Sequence, residues 1–250
     1  LRPAIVKAVE AHPELSPALV ALKEDAVSHI DELLPKTIEA MKQNGFQVYM
    51  AEDAKQACDY IANIVGDHLV VKSKTNTGKE IGITNRILEQ GATVYETDLG
   101  DRLAQLEGKG KAAHTLAPAC HLTRVECAEL LSKDLGENLP ADPEILVGAA
   151  RRSLREAFLK AEVGISGANA IASDTGAVFL TENEGNIRCV TSIPRVHIAI
   201  AGVEKIVPRL TDGLTVVKAA AAYGVGQDIG TYISVIDGVS QYNNDELAFL

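Results

Sequence analysis

The chain contains no tryptophan, and aromatic residues make up only 4% of its 250 residues. It therefore lacks the stacking platforms on which single-stranded nucleic acid is held. Positive charge is also scarce, with 24 Lys and Arg against 34 Asp and Glu and a formal net charge of −10. That sign opposes adhesion to nucleic acid or anionic lipid, so no nucleic-acid partner and no membrane insertion are expected. No apolar run approaches the roughly 20 residues that span a bilayer. Residues 1–10 lack the basic-then-apolar order of a secretory leader. Because it begins at Leu1 and not at Met, the chain is expected to be trimmed, with further protein at either end.

Cysteine is sparse and scattered. Cys58, Cys120, Cys127 and Cys189 include no pair two or three residues apart. A zinc knuckle or an iron–sulfur run needs such spacing, so no metal is expected on this chain. Four separated thiols in an acidic chain fit a reducing cytoplasm. No G-x-G-x-x-G follows an apolar strand and no Walker A spacing is present, which disfavours a nicotinamide dinucleotide bound in the usual way and a P-loop nucleotide.

What is present is an ordinary globular composition, 46% hydrophobic and 23% charged. Leu15, Leu19, Leu22, Ala26 and Ile30 recur at spacings of three and four, the stripe of an amphipathic helix. Residues 33–41 continue as helix up to the stop signal Asn44-Gly45. Residues 46–50 read as a strand and 54–64 as a helix. Strand and helix then alternate, with strands at 68–71, 93–96 and 114–117 and helices at 78–89, 123–131 and 143–162. That alternation predicts a parallel sheet with crossover helices. Further on, short strands at 163–165, 177–180, 189–191 and 196–200 crowd together between Gly, Asn, Asp and Pro turns, so some of these pairs are expected to be antiparallel. A helix over 203–222 and a strand over 231–236 complete the pattern. The reading is a helical extension over residues 1–45 followed by one α/β domain over 46–240.

Three stretches are rich in reactive groups. Lys72-Ser73-Lys74 lies between a strand and a helix, where hydroxyl, ammonium and backbone N–H groups suit an anion. A solvated loop capping the helix explains the same residues. His121 sits between a strand and a helix, a position that faces the crevice of an α/β sheet; it is a candidate base, acid or metal ligand, or simply a helix cap. The densest run holds Ser166, Asn169, Asp174, Thr175, Asn183, Glu184, Asn186 and Arg188. Tight turns account for part of it, yet carboxylates and an arginine beside small residues also suit a bound hydroxy or keto acid. His197 lies inside an apolar strand, where a hydrogen-bonded core histidine is the plainer explanation.

Several blocks in order carry a resemblance. They are Lys72-Ser73-Lys74 with Glu80-Ile81-Gly82, Glu96-Thr97-Asp98-Leu99-Gly100, Ala117-Pro118 with His121, Val163 to Asn169, Thr175-Gly176, Asn183-Glu184-Gly185-Asn186 with Arg188, and Pro194 to Lys205. Over residues 15–238 the chain resembles the LUD (lactate utilisation) domain family. The likeness is closest to the N-terminal domain of the LutB-type iron–sulfur subunit of L-lactate oxidation systems. The resemblance implies a three-layer α/β fold with a mostly parallel sheet, of the ribose-phosphate isomerase and CoA-transferase type (NagB/RpiA/CoA-transferase-like). It implies a cytoplasmic component that oxidises L-lactate to pyruvate together with other lactate-utilisation subunits and is not active alone.

In that family's B subunit a ferredoxin-like segment with two four-cysteine motifs follows. Neither motif occurs in these 250 residues. The resemblance thus implies no cofactor in this chain and 4Fe–4S clusters in a further C-terminal segment or a partner subunit. For a 2-hydroxy or 2-oxo acid, His121, Glu184 and Asp174 are the candidate proton-transfer groups. Lys72, Ser73, Lys74, Ser166, Asn169, Thr175, Asn183, Asn186 and Arg188 are the candidate anion and substrate contacts. Isomerase or acyl/CoA-transferase chemistry on the same fold, with Glu184 as base or nucleophile, stands as the alternative. So does a non-catalytic scaffold, with Ala219 to Ala222 and the helical N-terminal arm as assembly surfaces.

Overall fold

The computed structural model describes residues 2–108 and 117–238. Three helices open the chain, α1 (Arg2–Ala11), α2 (Leu15–Ser28) and α3 (Ile30–Gln43). Helix α4 (Ala54–Val65) leads into strand β1 (Leu69–Lys72), then α5 (Asn76–Ile81), α6 (Ile83–Glu89), β2 (Thr93–Glu96) and α7 (Leu99–Glu107). Helices α8 (Arg124–Leu135) and α9 (Pro143–Lys160) precede β3 (Val163–Ser166), β4 (Ala170–Ala172) and β5 (Val178–Glu182). After α10 (Asn186–Ser192) come β6 (Val196–Ala199), a single 3-10 turn, β7 (Ile206–Val207), α11 (Leu210–Val225) and β8 (Tyr232–Ile236).

The strands form two sheets. The first has the order β2-β1-β3-β6 and every pairing is parallel. Its strands are short apolar runs because both faces are covered. Val70, Val94, Val163, Ile165 and Ile198 pack with Ile61, Val65, Ile83 and Ile87 of α4 and α6 on one side. Val71 points the other way, to Ala157 of α9 and Val190 of α10. Helix, sheet and helix make the three layers. The second sheet has the order β7-β4-β5-β8 and is mixed, with β4-β5 and β5-β8 antiparallel and β4-β7 parallel. Phe179 and Val207 pack with Val217 of α11 and Leu22 of α2, while Val178 packs with Met41 of α3 and with Phe46.

Several elements differ from the sequence reading. Residues 46–50 are extended but join neither ladder; Phe46 is fastened by its side chain in the core instead. The helix expected over 78–89 is two, broken where Gly82 takes a left-handed conformation (φ 77°) that stops α5 and opens α6. Residues 189–191 are not a strand but part of α10. The helix expected from residue 203 begins at Leu210, after β7. Ala219 and Ala222 are no free assembly surface, because they are buried with Ala8 and Leu15 of the N-terminal helices. The strand expected at 114–117 falls mostly outside the described residues.

Candidate functional site

In a parallel sheet every strand ends on the same edge, and ligands bind outside that edge. Here the edge is polar and buried. Lys72 and Glu96 are register partners at the ends of β1 and β2, and Lys72 is fully buried. Lys72 Nζ donates to Glu96 Oε1 at 2.8 Å and to Oε2 at 3.0 Å. Burial raises the Glu96 carboxyl above its ordinary pKa, and the lysine charge offsets this only in part. Thr97 closes the step above: its backbone N–H and its Oγ1 both donate to the Lys72 carbonyl. On β3, Ser166 Oγ donates to the Gly167 carbonyl and lies 2.7 Å from His197 Nε2 of β6. His197 is wholly buried, and burial pushes its pKa down to about 3, so it is neutral.

Above this floor opens a cleft of about 580 Å³. The loop after β1 supplies Lys74 and Thr75, β2 leads to Asp98, β3 leads to Asn169, and β5 runs out into Asn183 and Glu184. Helix α11 forms the opposite wall with Val216, Ala220, Ala221 and Gly224, and Lys205 also faces the cleft. The 183–186 segment is fastened to the turn after β2. Asn186 Nδ2 donates to Thr97 Oγ1 at 3.2 Å, and the Glu184 carboxylate accepts the Leu99 N–H at the start of α7. Glu184 is solvent-accessible, yet the surrounding protein desolvates its carboxyl group. That desolvation, helped by the negative charge of Asp98, raises its pKa; the Leu99 N–H and the Lys74 charge act the other way. The cleft thus joins a carboxyl group of raised pKa, ammonium groups and an apolar wall.

The LUD domain family model matches residues 34–249. The chain belongs to the LUD domain family. This LUD domain is similar to Lactate utilization protein B of Bacillus pumilus, 33% identical over 218 residues that make up 86% of this chain and 46% of that protein. It is similar to the Uncharacterized electron transport protein YkgF of Escherichia coli, 34% identical over 220 residues, 87% of this chain and 46% of that protein. The chain spans about half the length of these curated relatives. A solved DUF162 family protein from Deinococcus radiodurans superposes with a TM-score of 0.48 at 16% identity, covering 88% of this chain and 95% of that one.

Of the residues singled out in the sequence, the LUD domain cleft brings together Lys74, Asn169, Asn183, Glu184 and Asn186. Asn169 Oδ1 accepts the Thr181 N–H, and Asn183 Oδ1 accepts from the N–H and hydroxyl of Thr231, so both amides also brace the wall. Lys72, Ser73 and Ser166 lie beneath the cleft as its buried floor. Arg188 does not line it. Its guanidinium stacks over the Tyr232 ring at 3.8 Å and pairs with Glu182, whose carboxylate also accepts the N–H groups of Ile187 and Arg188. His121 does not line it either; it pairs with Glu107 of α7 at 2.9 Å. Asp174 and Thr175 sit in the β4–β5 turn, where the Thr175 carbonyl accepts from Asn44. Sequence reasoning missed Thr97, Asp98 and the whole α11 wall. Only Asp98 had a readable local signal, an Asp three residues before Asp101 that caps α7.

The cysteines are dispersed over α4, the 117–123 turn, α8 and α10, and among the described residues no three His, Cys, Asp or Glu gather to hold a metal. No helix among the described residues is long and apolar enough to cross a membrane.

Proposed function

We propose that this LUD domain is the substrate-binding component of a cytoplasmic lactate-utilisation system that oxidises L-lactate to pyruvate. Other subunits, or a further segment of its own protein, carry the 4Fe–4S clusters. The observation that supports this most is the meeting of Glu184, Lys74 and Asp98 in one cleft. Oxidising a 2-hydroxy acid requires a cation for the carboxylate, a base for the hydroxyl proton and an acceptor for two electrons. Lys74 holds the carboxylate. Glu184, ionised, takes the hydroxyl proton as the carbon–oxygen double bond forms, while the Cα–H bond breaks, its proton leaving to solvent and its two electrons passing to the redox centres carried elsewhere in the system. Its raised pKa makes it a stronger base than an ordinary carboxylate. The names of the relatives, lactate utilization and electron transport, support lactate as the substrate class and a redox role.

The test is steady-state lactate oxidation by the assembled system. Glu184→Gln lowers kcat by about 10²–10⁴-fold, the usual worth of a positioned general base. Lys74→Ala chiefly raises KM for lactate. The wild-type rate rises with pH through an apparent pKa above the ordinary carboxylate value. Wild-type turnover from both variants overturns the assignment. A thermal shift of the chain with CoA or a sugar phosphate, and none with lactate or pyruvate, turns the reading to acyl-transfer or isomerase chemistry on Glu184.

A further inference from the structure

Glu184 stands on an exposed turn between the end of β5 at Glu182 and the start of α10 at Asn186. Turns move more than the strands beside them, and a reacting group misplaced by about 1 Å can cost about 10²-fold in rate. Here the turn is pinned on both flanks. Before Glu184, Asn183 Oδ1 accepts the Thr231 N–H at 3.0 Å and the Thr231 hydroxyl at 2.9 Å. After it, Gly185 bends the chain through a left-handed conformation (φ 76°), and Asn186 Nδ2 donates to Thr97 Oγ1 at 3.2 Å. The two anchors differ in firmness. Thr231 is exposed, whereas Thr97 is 1% exposed.

Thr97 also belongs to the sheet. Its N–H donates to the Lys72 carbonyl at 2.9 Å and its hydroxyl donates to the same carbonyl at 3.1 Å. A hydroxyl has one proton. With that proton given to Lys72, the oxygen meets Asn186 as an acceptor, which fixes the sense of the Asn186 amide. The Glu184 turn is thereby tied to the ends of β1 and β2, whose register the buried Lys72–Glu96 pair shares. The tie brings the Glu184 carboxylate to the Leu99 N–H. Thr97 itself is not among the residues lining the cleft.

We propose that Thr97 is a positioning residue, its hydroxyl holding Asn186 and, through Asn186, the Glu184 carboxylate at the β2–α7 turn. The inference rests on the proposed role of Glu184 in lactate oxidation and names what aims it. Its mark is on the acid–base behaviour of Glu184. Desolvation first, then Asp98 and more weakly Glu182, raise that pKa, while the Leu99 N–H and Lys74 lower it; Lys205 also lines the cleft. A released turn carries Glu184 into water and away from Asp98, so its pKa falls toward the ordinary carboxylate value.

The test is Thr97→Val, assayed for lactate oxidation in the assembled system. Valine keeps the shape of threonine and leaves the backbone bond to Lys72 in place. The expected result is a kcat about tenfold lower with KM for lactate unchanged, a rising limb of the pH–rate profile moved to lower pH, and rescue of both by Thr97→Ser. Asn186→Ala cuts the same tie from the other side and moves the limb likewise. Ser173→Ala removes an equally buried hydroxyl that bonds the Leu33 carbonyl, and it leaves rate and limb as in wild type. Carboxyl carbon-13 NMR of the full chain reads the Glu184 pKa without turnover, with Glu184→Gln assigning the signal. An unmoved kcat and limb in Thr97→Val, or no rescue by Thr97→Ser, overturns the proposal. Wild-type turnover in Glu184→Gln sinks the lactate reading, and a lowered Glu184 pKa in Thr97→Val then still supports the positioning role. Lost turnover in Glu184→Gln with an unmoved Glu184 pKa in Thr97→Val sinks the positioning role alone.

Discussion

The two sheets bury different chemistry. The interior of the mixed sheet is apolar along most of its length, with Ala170, Ala172, Val178, Phe179 and Val207 inaccessible to solvent, and its buried carboxylate, Glu182, stands at the very end of β5 where that strand reaches the cleft. The parallel sheet differs: Lys72 and Ser166, both inaccessible, end β1 and β3, Glu96 at the end of β2 is almost so, and inaccessible His197 reaches up from the body of β6 to Ser166. Burying such groups costs free energy unless each is paired, and apolar residues of similar volume hold a fold at least as well. The parallel sheet therefore gives up stability along the edge that faces the cleft, and the mixed sheet does so only at Glu182, where β5 meets the same cleft. In both sheets the buried charge is concentrated beside the site.

The comparison breaks most visibly at the buried pair. Lys72→Met strands the Glu96 carboxylate in the interior and costs about 3–5 kcal/mol, measured by urea unfolding. Adding Glu96→Leu to that variant recovers most of the loss. If the single variant is as stable as wild type, Lys72 and Glu96 are not a desolvated pair. Next in size is an acid effect at His197. Its native pKa, about 3, lies below the ordinary 6.5, so the unfolded chain binds a proton that the native chain refuses. The stabilisation is complete above pH 6.5 and is lost as pH falls toward 3. Between pH 7 and pH 5 wild type should lose about 2 kcal/mol more than His197→Gln. Parallel pH profiles of the two proteins would refute this. The smallest effect is at the joint between the sheets. Asn169→Ala removes the acceptor for the Thr181 N–H and costs about 1 kcal/mol, because water can reach the half-buried site and replace the bond.

The same division explains how much could be read in the sequence. The strands of the parallel sheet announce themselves because a doubly covered strand is a short apolar run, as at Val70-Val71 and Val163 to Ile165. Helices α2, α3 and α9 were legible for similarly local reasons. What escaped depends on residues far apart in the chain. Cys189 to Thr191 look like a strand from their side chains, yet the Glu182 carboxylate binds the first N–H groups of α10 and starts a helix there. Lys72 reads as a loop cation until register places Glu96 beside it. Arg188 has the right chemistry for a carboxylate but is occupied by Glu182 and Tyr232. Glu184 and Lys74 were legible because turn segments at strand ends are where crevices open. The α11 wall was not, since alanine-rich helical sequence gives no sign of which face lies opposite a cavity.

The salt link between Lys72 and Glu96 also changes how the molecule responds to heat. Hydration of charged groups becomes less favourable as temperature rises, so the cost of keeping these two dry shrinks while their mutual attraction persists. Apolar burial, on which the mixed sheet depends, gains nothing comparable over the same range. On warming, the buried pair therefore keeps more of its contribution than an apolar contact of similar size.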